Sequence, residues 1–435
     1  MEQPSDPLTA PSEPRPERLW NRNFLLLWQG QTISQLGNQA FSIAMMLWLK
    51  QATGSASLMG LLMFTSMIPG VLLGPIGGTF ADRHSRIRIA LICDILSALA
   101  VLSLAFAMFD HRVVDRIDPG AVRFVIGLMF VVATLLGILR AFFTPAFNAV
   151  IPDLVPREKI PAANSMSQIS IQGSSLLGLS IGGVLFEVLG ASVLYLVDGV
   201  SFLLAGLCAF LIRMPARQTP RKPATDHPFR EFLRETSEGF HFIWQRPGLR
   251  DLIVVASVNN FLSMPVVVLA PFYVELYLKS EPRWYGFLMA SIIAGSITGY
   301  VLAGVLRLSG AARRFWMLTS LLLAPAFFGA LGLVRSPFVA LGGTFLIGLA
   351  LGIINVYFMS MLQMAAPTEL RGRVLSVVFT LSGALMPVGM LLGGVLGDLT
   401  GKNVPLVYGV CSICGVLVVL VGMVRRELRE FLASG

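Results

Sequence analysis

Apolar residues run along the chain in long uninterrupted stretches parted by short polar breaks, at residues 24–49, 57–81, 87–109, 121–144, 166–189, 192–213, 250–278, 285–307, 314–334, 337–364, 374–399 and 404–424. Each stretch meets or exceeds the roughly 20 residues that an α-helix needs to cross a bilayer core. A membrane β-barrel would instead show ten-residue alternations, and open strands leave backbone groups unsatisfied in lipid. The pattern predicts an all-α membrane protein with twelve transmembrane helices.

The two halves of the chain resemble each other. Gly60-Leu-Leu-Met63 returns as Gly286-Phe-Leu-Met289, Gly78 as Gly304, and Gly182-Gly183-Val-Leu-Phe-Glu187 as Gly393-Gly394-Val-Leu-Gly-Asp398. The expectation is two six-helix bundles in parallel repeat, 22–213 and 249–424, with a substrate site at their interface reached alternately from each side. Glycines at four-residue spacing, such as Gly70/Gly74/Gly78 and Gly389/Gly393/Gly397, let helices approach closely enough to rock. Between the bundles, 214–248 reads as a cytoplasmic linker, Pro- and Arg-rich at its start. Phe229, Phe232, Leu233, Phe240, Ile243 and Trp244 then recur at helical spacing, as in an amphipathic helix on the inner membrane surface. The tails are 1–21 and 425–435; the first carries five prolines, no apolar run and no cleavable leader, and reads as disordered.

Composition agrees: 55% of residues are hydrophobic and 13% charged, whereas soluble domains carry about 25% charged residues. A water-soluble enzyme is excluded. Placing both termini in the cytoplasm puts 24 of the 33 lysines and arginines inside and leaves eight outside, Lys50, Arg112, Arg116, Arg123, Lys279, Arg283, Arg335 and Lys402. The net charge of +9 thus reflects a multi-pass cell-membrane topology and calls for no nucleic-acid partner. Cys93, Cys208, Cys411 and Cys414 lie in apolar stretches, and the Cys411/Cys414 pair has no acid or His beside it, so it reads as packing, and no metal or cofactor is expected. The protein is expected to be monomeric.

The loop after the second stretch reads Gly78-Thr-Phe-Ala-Asp82-Arg83-His-Ser-Arg86-Ile-Arg88. It resembles the Gly-x-x-x-Asp-Arg-x-Gly-Arg-Arg signature of the major facilitator superfamily, with Ser85 at the usual glycine and Ile87 at the usual second arginine. Phe143-Thr-Pro145-Ala146 running to Pro152-Asp-Leu-Val-Pro156, Asp198-Gly-Val-Ser-Phe202 and Glu238-Gly239-Phe240 resemble the macrolide-efflux and siderophore-exporter branch of the drug:proton antiporters. The resemblance implies that Gly78, Asp82, Arg83, Arg86 and Arg88 form an inner gate. It also implies a central cavity lined by spans one, four, seven and ten.

No nucleotide-binding loop is present, and His84, His111, His227 and His241 all fall outside the apolar stretches. Carboxylates within or at the ends of spans are therefore the candidates for proton coupling: Asp198 first, then Glu187 and Glu275, the last two near span ends together with Asp398. Asp94 and Arg140, in neighbouring spans at similar depth, are expected to form an intramembrane charge pair. Gln31, Gln35 and Asn38 share one helix face, and with Asn259, Asn260 and one of two stripes of span ten, that of Asn355 or that of Tyr357, they are the cavity-lining candidates. An amide, aromatic and thioether lining suits a bulky, amphipathic solute. The expected activity is secondary active export of hydrophobic or amphipathic small molecules by proton antiport, with a lipid-precursor flippase or a proton-symport importer on the same fold as alternatives.

Overall fold

The computed structural model describes residues 19–109, 118–212, 228–306, 310–365 and 370–429. The first half comprises α1 (Arg22–Thr53), α2 (Ala56–Arg83), α3 (Arg86–Met108), α4 (Pro119–Leu154) and α5 (Ile160–Leu211). A surface helix α6 (Pro228–Trp244) precedes the second half. That half comprises α7 (Pro247–Phe272), prolonged by a π-helical turn (Tyr273–Tyr277), then α8 (Arg283–Leu306), α9 (Gly310–Leu333), α10 (Pro337–Ala365), α11 (Arg371–Ala384), α12 (Met386–Leu399) and α13 (Val404–Val424). Among the described residues, ten segments are long and apolar enough to cross a bilayer. The more polar α1 adds an eleventh crossing. The 52-residue α5 supplies two, because it folds back at Gly190, where φ 75° and ψ 173° are open only to glycine. Twelve crossings result, and no strand occurs among the described residues.

Local chemistry sets the helix ends. Asn21 accepts from the Phe24 N–H at 3.0 Å, Ser55 from Leu58 and Asn403 from Leu406, each a side-chain N-cap. Asp118 caps α4, whose first residue is Pro119. α4 runs ten residues beyond the expected end at 144, through Pro145 and Pro152. The eleventh crossing, expected as one stretch over 374–399, breaks at Leu385 just before Pro387.

Bundle interiors close on buried tyrosines. The Tyr408 hydroxyl donates to the Val266 carbonyl at 2.9 Å and that of Tyr273 to Val334 at 3.2 Å. Large apolar side chains such as Leu72, Phe106, Phe210, Val305 and Leu333 remain exposed along the spans, as a lipid-facing surface requires. Helices of one half pack through small residues: Gly295 and Gly299 of α8 lie against the backbone of α10, and Gly348 and Gly352 of α10 lie against α8. The helix expected within the linker is present as α6. It docks on the second half through buried Ile243, packed with Leu249, Leu362 and Val374, and the Arg246 guanidinium donates to the Ala365 carbonyl at 2.7 Å. Phe240 and Trp244 stack at 4.9 Å on its exposed side. The side chains of Phe229, Phe232 and Leu233, and the tail 1–18, lie outside the described residues.

Candidate functional site

The halves meet at the end of the molecule that carries Gly54, Gly190 and Lys402. There Asp398 of α12 caps the first turn of α2 across the interface. Its Oδ1 accepts from the Ala56 N–H at 3.0 Å, and its Oδ2 accepts from the Ser57 N–H and the Ser55 hydroxyl, both at 2.8 Å. Glu187 does the repeat-equivalent thing to α8: its Oε1 accepts from the Arg283 N–H at 2.6 Å, and the Arg283 guanidinium lies 4.0 Å from Oε2. A carboxylate at a helix N-terminus satisfies donors that have no partner within the helix and complements the helix dipole. Glycines permit the approach, Gly60 against Met390 and Gly394, Gly286 against Leu179 and Gly183. Lys50 pairs with Glu275, and the Lys50 and Lys402 ammonium groups lie 5.6 and 5.3 Å from the Phe272 ring centre. These hydrogen bonds and ion pairs tie the two halves together at this end. Toward the opposite end, a Cβ added at Gly70, Gly74, Gly78 or Gly173 would meet nothing within 4 Å.

A cavity of about 420 Å³ runs from Met45, Met46 and Leu62 near the closed end to Phe147 and Asn148 toward the other. All of its lining residues belong to the first half. Of the expected lining residues, Gln31, Gln35 and Asn38 are there, joined by Ser34, Ser97, Phe143 and Thr144. The second-half candidates are elsewhere. Asn259 donates to the Val255 carbonyl of its own helix at 3.1 Å, and Asn260 ties α7 to the Ser382 carbonyl at 3.2 Å. Tyr357 is buried with Leu252, Met317 and Leu428, while Asn355 is exposed outside this cavity. Phe147 and Asn148 escaped the sequence reading because Pro145 suggested a helix end.

Asp94 and Arg140 both line the cavity, but the direct pair expected between them is not formed in this structure. Asp94 is 2% exposed and accepts from the Gln31 amide at 3.3 Å. Arg140 is exposed and makes no hydrogen bond or ion pair among the described residues. The reason is solvation: an arginine facing a water-filled cavity escapes the cost of one facing lipid, so it needs no buried acid. Asp198 is fully buried behind the wall, against Gly37 of α1, with Oδ1 accepting from the Ser201 hydroxyl at 3.3 Å and Oδ2 without a partner. Glu187 and Glu275 belong to the closed end.

At the signature, the Arg86 guanidinium donates to Asp153 at 2.9 Å and to the Ala149 carbonyl at 2.7 Å, clasping the start of α3 to the end of α4. Arg83 and Arg88 are exposed; the Asp82 side chain and Glu369 lie outside the described residues. A second clasp that sequence reading missed sits in the other half, where Asp251, 6% exposed, meets Arg250 at 3.1 Å and Arg425 at 3.3 Å. Its signal was an acid at the very start of an apolar stretch.

The family model of the Major Facilitator Superfamily matches residues 27–389. The chain is 26% identical over 391 residues to macrolide efflux protein A of Streptococcus pyogenes, covering 88% of this chain and 91% of that protein. It is 26% identical over 374 residues to the multidrug efflux pump Tap of Mycolicibacterium fortuitum, covering 84% and 87%. Among solved structures, it is similar to a bacterial homologue of the iron transporter ferroportin in an inward-facing state, with TM-score 0.68 and 18% identity over 93% of this chain and 99% of that one. Twelve crossings in two repeats, a cavity beside their interface and a family match over most of the sequence lead to one conclusion: the chain belongs to the Major Facilitator Superfamily and is a multi-pass membrane transporter, not an enzyme.

Proposed function

We propose that the protein exports amphipathic small molecules from the cell by alternating access, in exchange for protons. The observation that carries this reading is the cavity of about 420 Å³, lined by amides, thioethers and aromatic rings, in a bundle whose halves are clasped by carboxylate caps at one end. The lysine and arginine distribution supports an extracellular position for the clasped end and a cytoplasmic one for both termini. The cavity then loads from the cytoplasm, as an exporter must. The names of the two efflux relatives support the same direction. For the proton we choose Asp94 over Asp198, Glu187 and Glu275, since Asp94 alone among these carboxylates borders the cavity. The signature from Gly78 to Arg88, with Asp82 at its centre, is the proposed cytoplasmic lock of the outward-open state.

Everted membrane vesicles test the proposal. With an imposed proton gradient, vesicles holding the wild-type chain are expected to accumulate a fluorescent amphiphile, to lose it on adding an uncoupler, and to fail to concentrate it when Asp94→Asn is present. Accumulation that ignores the uncoupler would favour a flippase. Accumulation in right-side-out vesicles alone would favour an importer.

A further inference from the structure

We infer that the amphiphile taken by this cavity carries an oxyanion, a carboxylate being the simplest, and that Arg140 receives it. The inference rests on the reading of the cavity as the substrate site. Among the lining residues two side chains are charged, Asp94 and Arg140, and a solute meets them differently. Asp94 is 2% exposed behind the Gln31 amide, and a carboxylate can be discharged by a proton. Arg140 is exposed and without a partner among the described residues, and a guanidinium stays cationic in proteins. The charge that persists at the wall is therefore positive. Its planar fork of donors fits the two oxygens of a carboxylate, and the pairing gains strength where the membrane lowers the local dielectric. A cationic amine would instead be repelled by Arg140 and find the one acid sealed behind an amide. Met45, Met46, Phe143 and Phe147 supply an adaptable apolar wall for the body of such a molecule.

Three dansyl-labelled probes with the same undecyl chain, ending in a carboxylate, a primary amide or a primary amine, would be titrated into the full chain in zwitterionic nanodiscs. The carboxylate probe is expected to bind at least tenfold tighter than the amide, with the amine weakest. Arg140→Gln should bring the carboxylate down to the amide, and Arg140→Lys should keep part of the preference. Thermal melting of each variant checks folding; if Arg140→Gln fails it, the wild-type ranking and Arg140→Lys still decide. A carboxylate that binds no tighter than the amide, or a preference that survives Arg140→Gln, overturns the inference. Asn38→Trp, which fills the cavity, separates the two levels. If it abolishes binding while the amine ranks first, the cavity reading stands and the oxyanion does not. If it leaves all three probes unchanged, both fall.

Discussion

Asp398 is a single carboxylate that holds one half of the molecule to the other. Its oxygens take two backbone N–H groups and one hydroxyl at the start of α2. Removing such a cap costs about 1 kcal/mol in a helix and leaves the donors unmatched. Asp398→Ala is therefore expected to loosen the closed end without unfolding the bundle. In a background whose four native cysteines are replaced, a cysteine at Asn38 should react several-fold faster with an impermeant thiol reagent added outside; an unchanged rate would show that the cap is no part of the seal. At this scale much of the site was legible. Glu187 and Asp398 stand at repeat-equivalent positions, and Gln31, Gln35 and Asn38 share a face by spacing alone. The partner of Asp94 was not legible: spacing within one helix says nothing of which neighbouring helix presents its side chain at that depth, and here the Gln31 amide arrives in place of the Arg140 guanidinium.

Among the helices, α5 depends most on one residue. Gly190 turns the chain between two crossings with a backbone that side-chain-bearing residues avoid, and a Cβ there would meet nothing within 4 Å. Gly190→Ala thus isolates backbone strain, worth roughly 1–3 kcal/mol. The detergent-solubilised variant is expected to melt at a lower temperature, whereas an equal melting point would mean the turn relaxes freely. Helix starts were readable from where the apolar stretches begin, and the structure adds the residues that cap them, Asn21, Ser55, Asp118 and Asn403. The extension of α4 was not, since Pro145 and Pro152 signal stops in water, while in a membrane bundle neighbouring groups and waters tolerate them. The break at Leu385 was hidden for the opposite reason: the sequence stays apolar across it.

For the whole molecule, Lys50 and Glu275 test whether the closed end is a gate, because the pair spans the two halves. Lys50→Glu and Glu275→Lys each place like charges together and should lower transport several-fold, with the cavity cysteine becoming reactive from outside. The double exchange should restore both readouts; a double variant as impaired as the singles would deny the pairing a role in closure. The cavity wall leads to a different consequence. Because its lining comes from the first half, the two repeats have unequal duties on the proposed reading: one grips the cargo, the other serves as a moving shutter. Selectivity is then inherited with six helices of the twelve, and a hybrid that joins this first half to a relative's second half keeps this chain's spectrum of cargo.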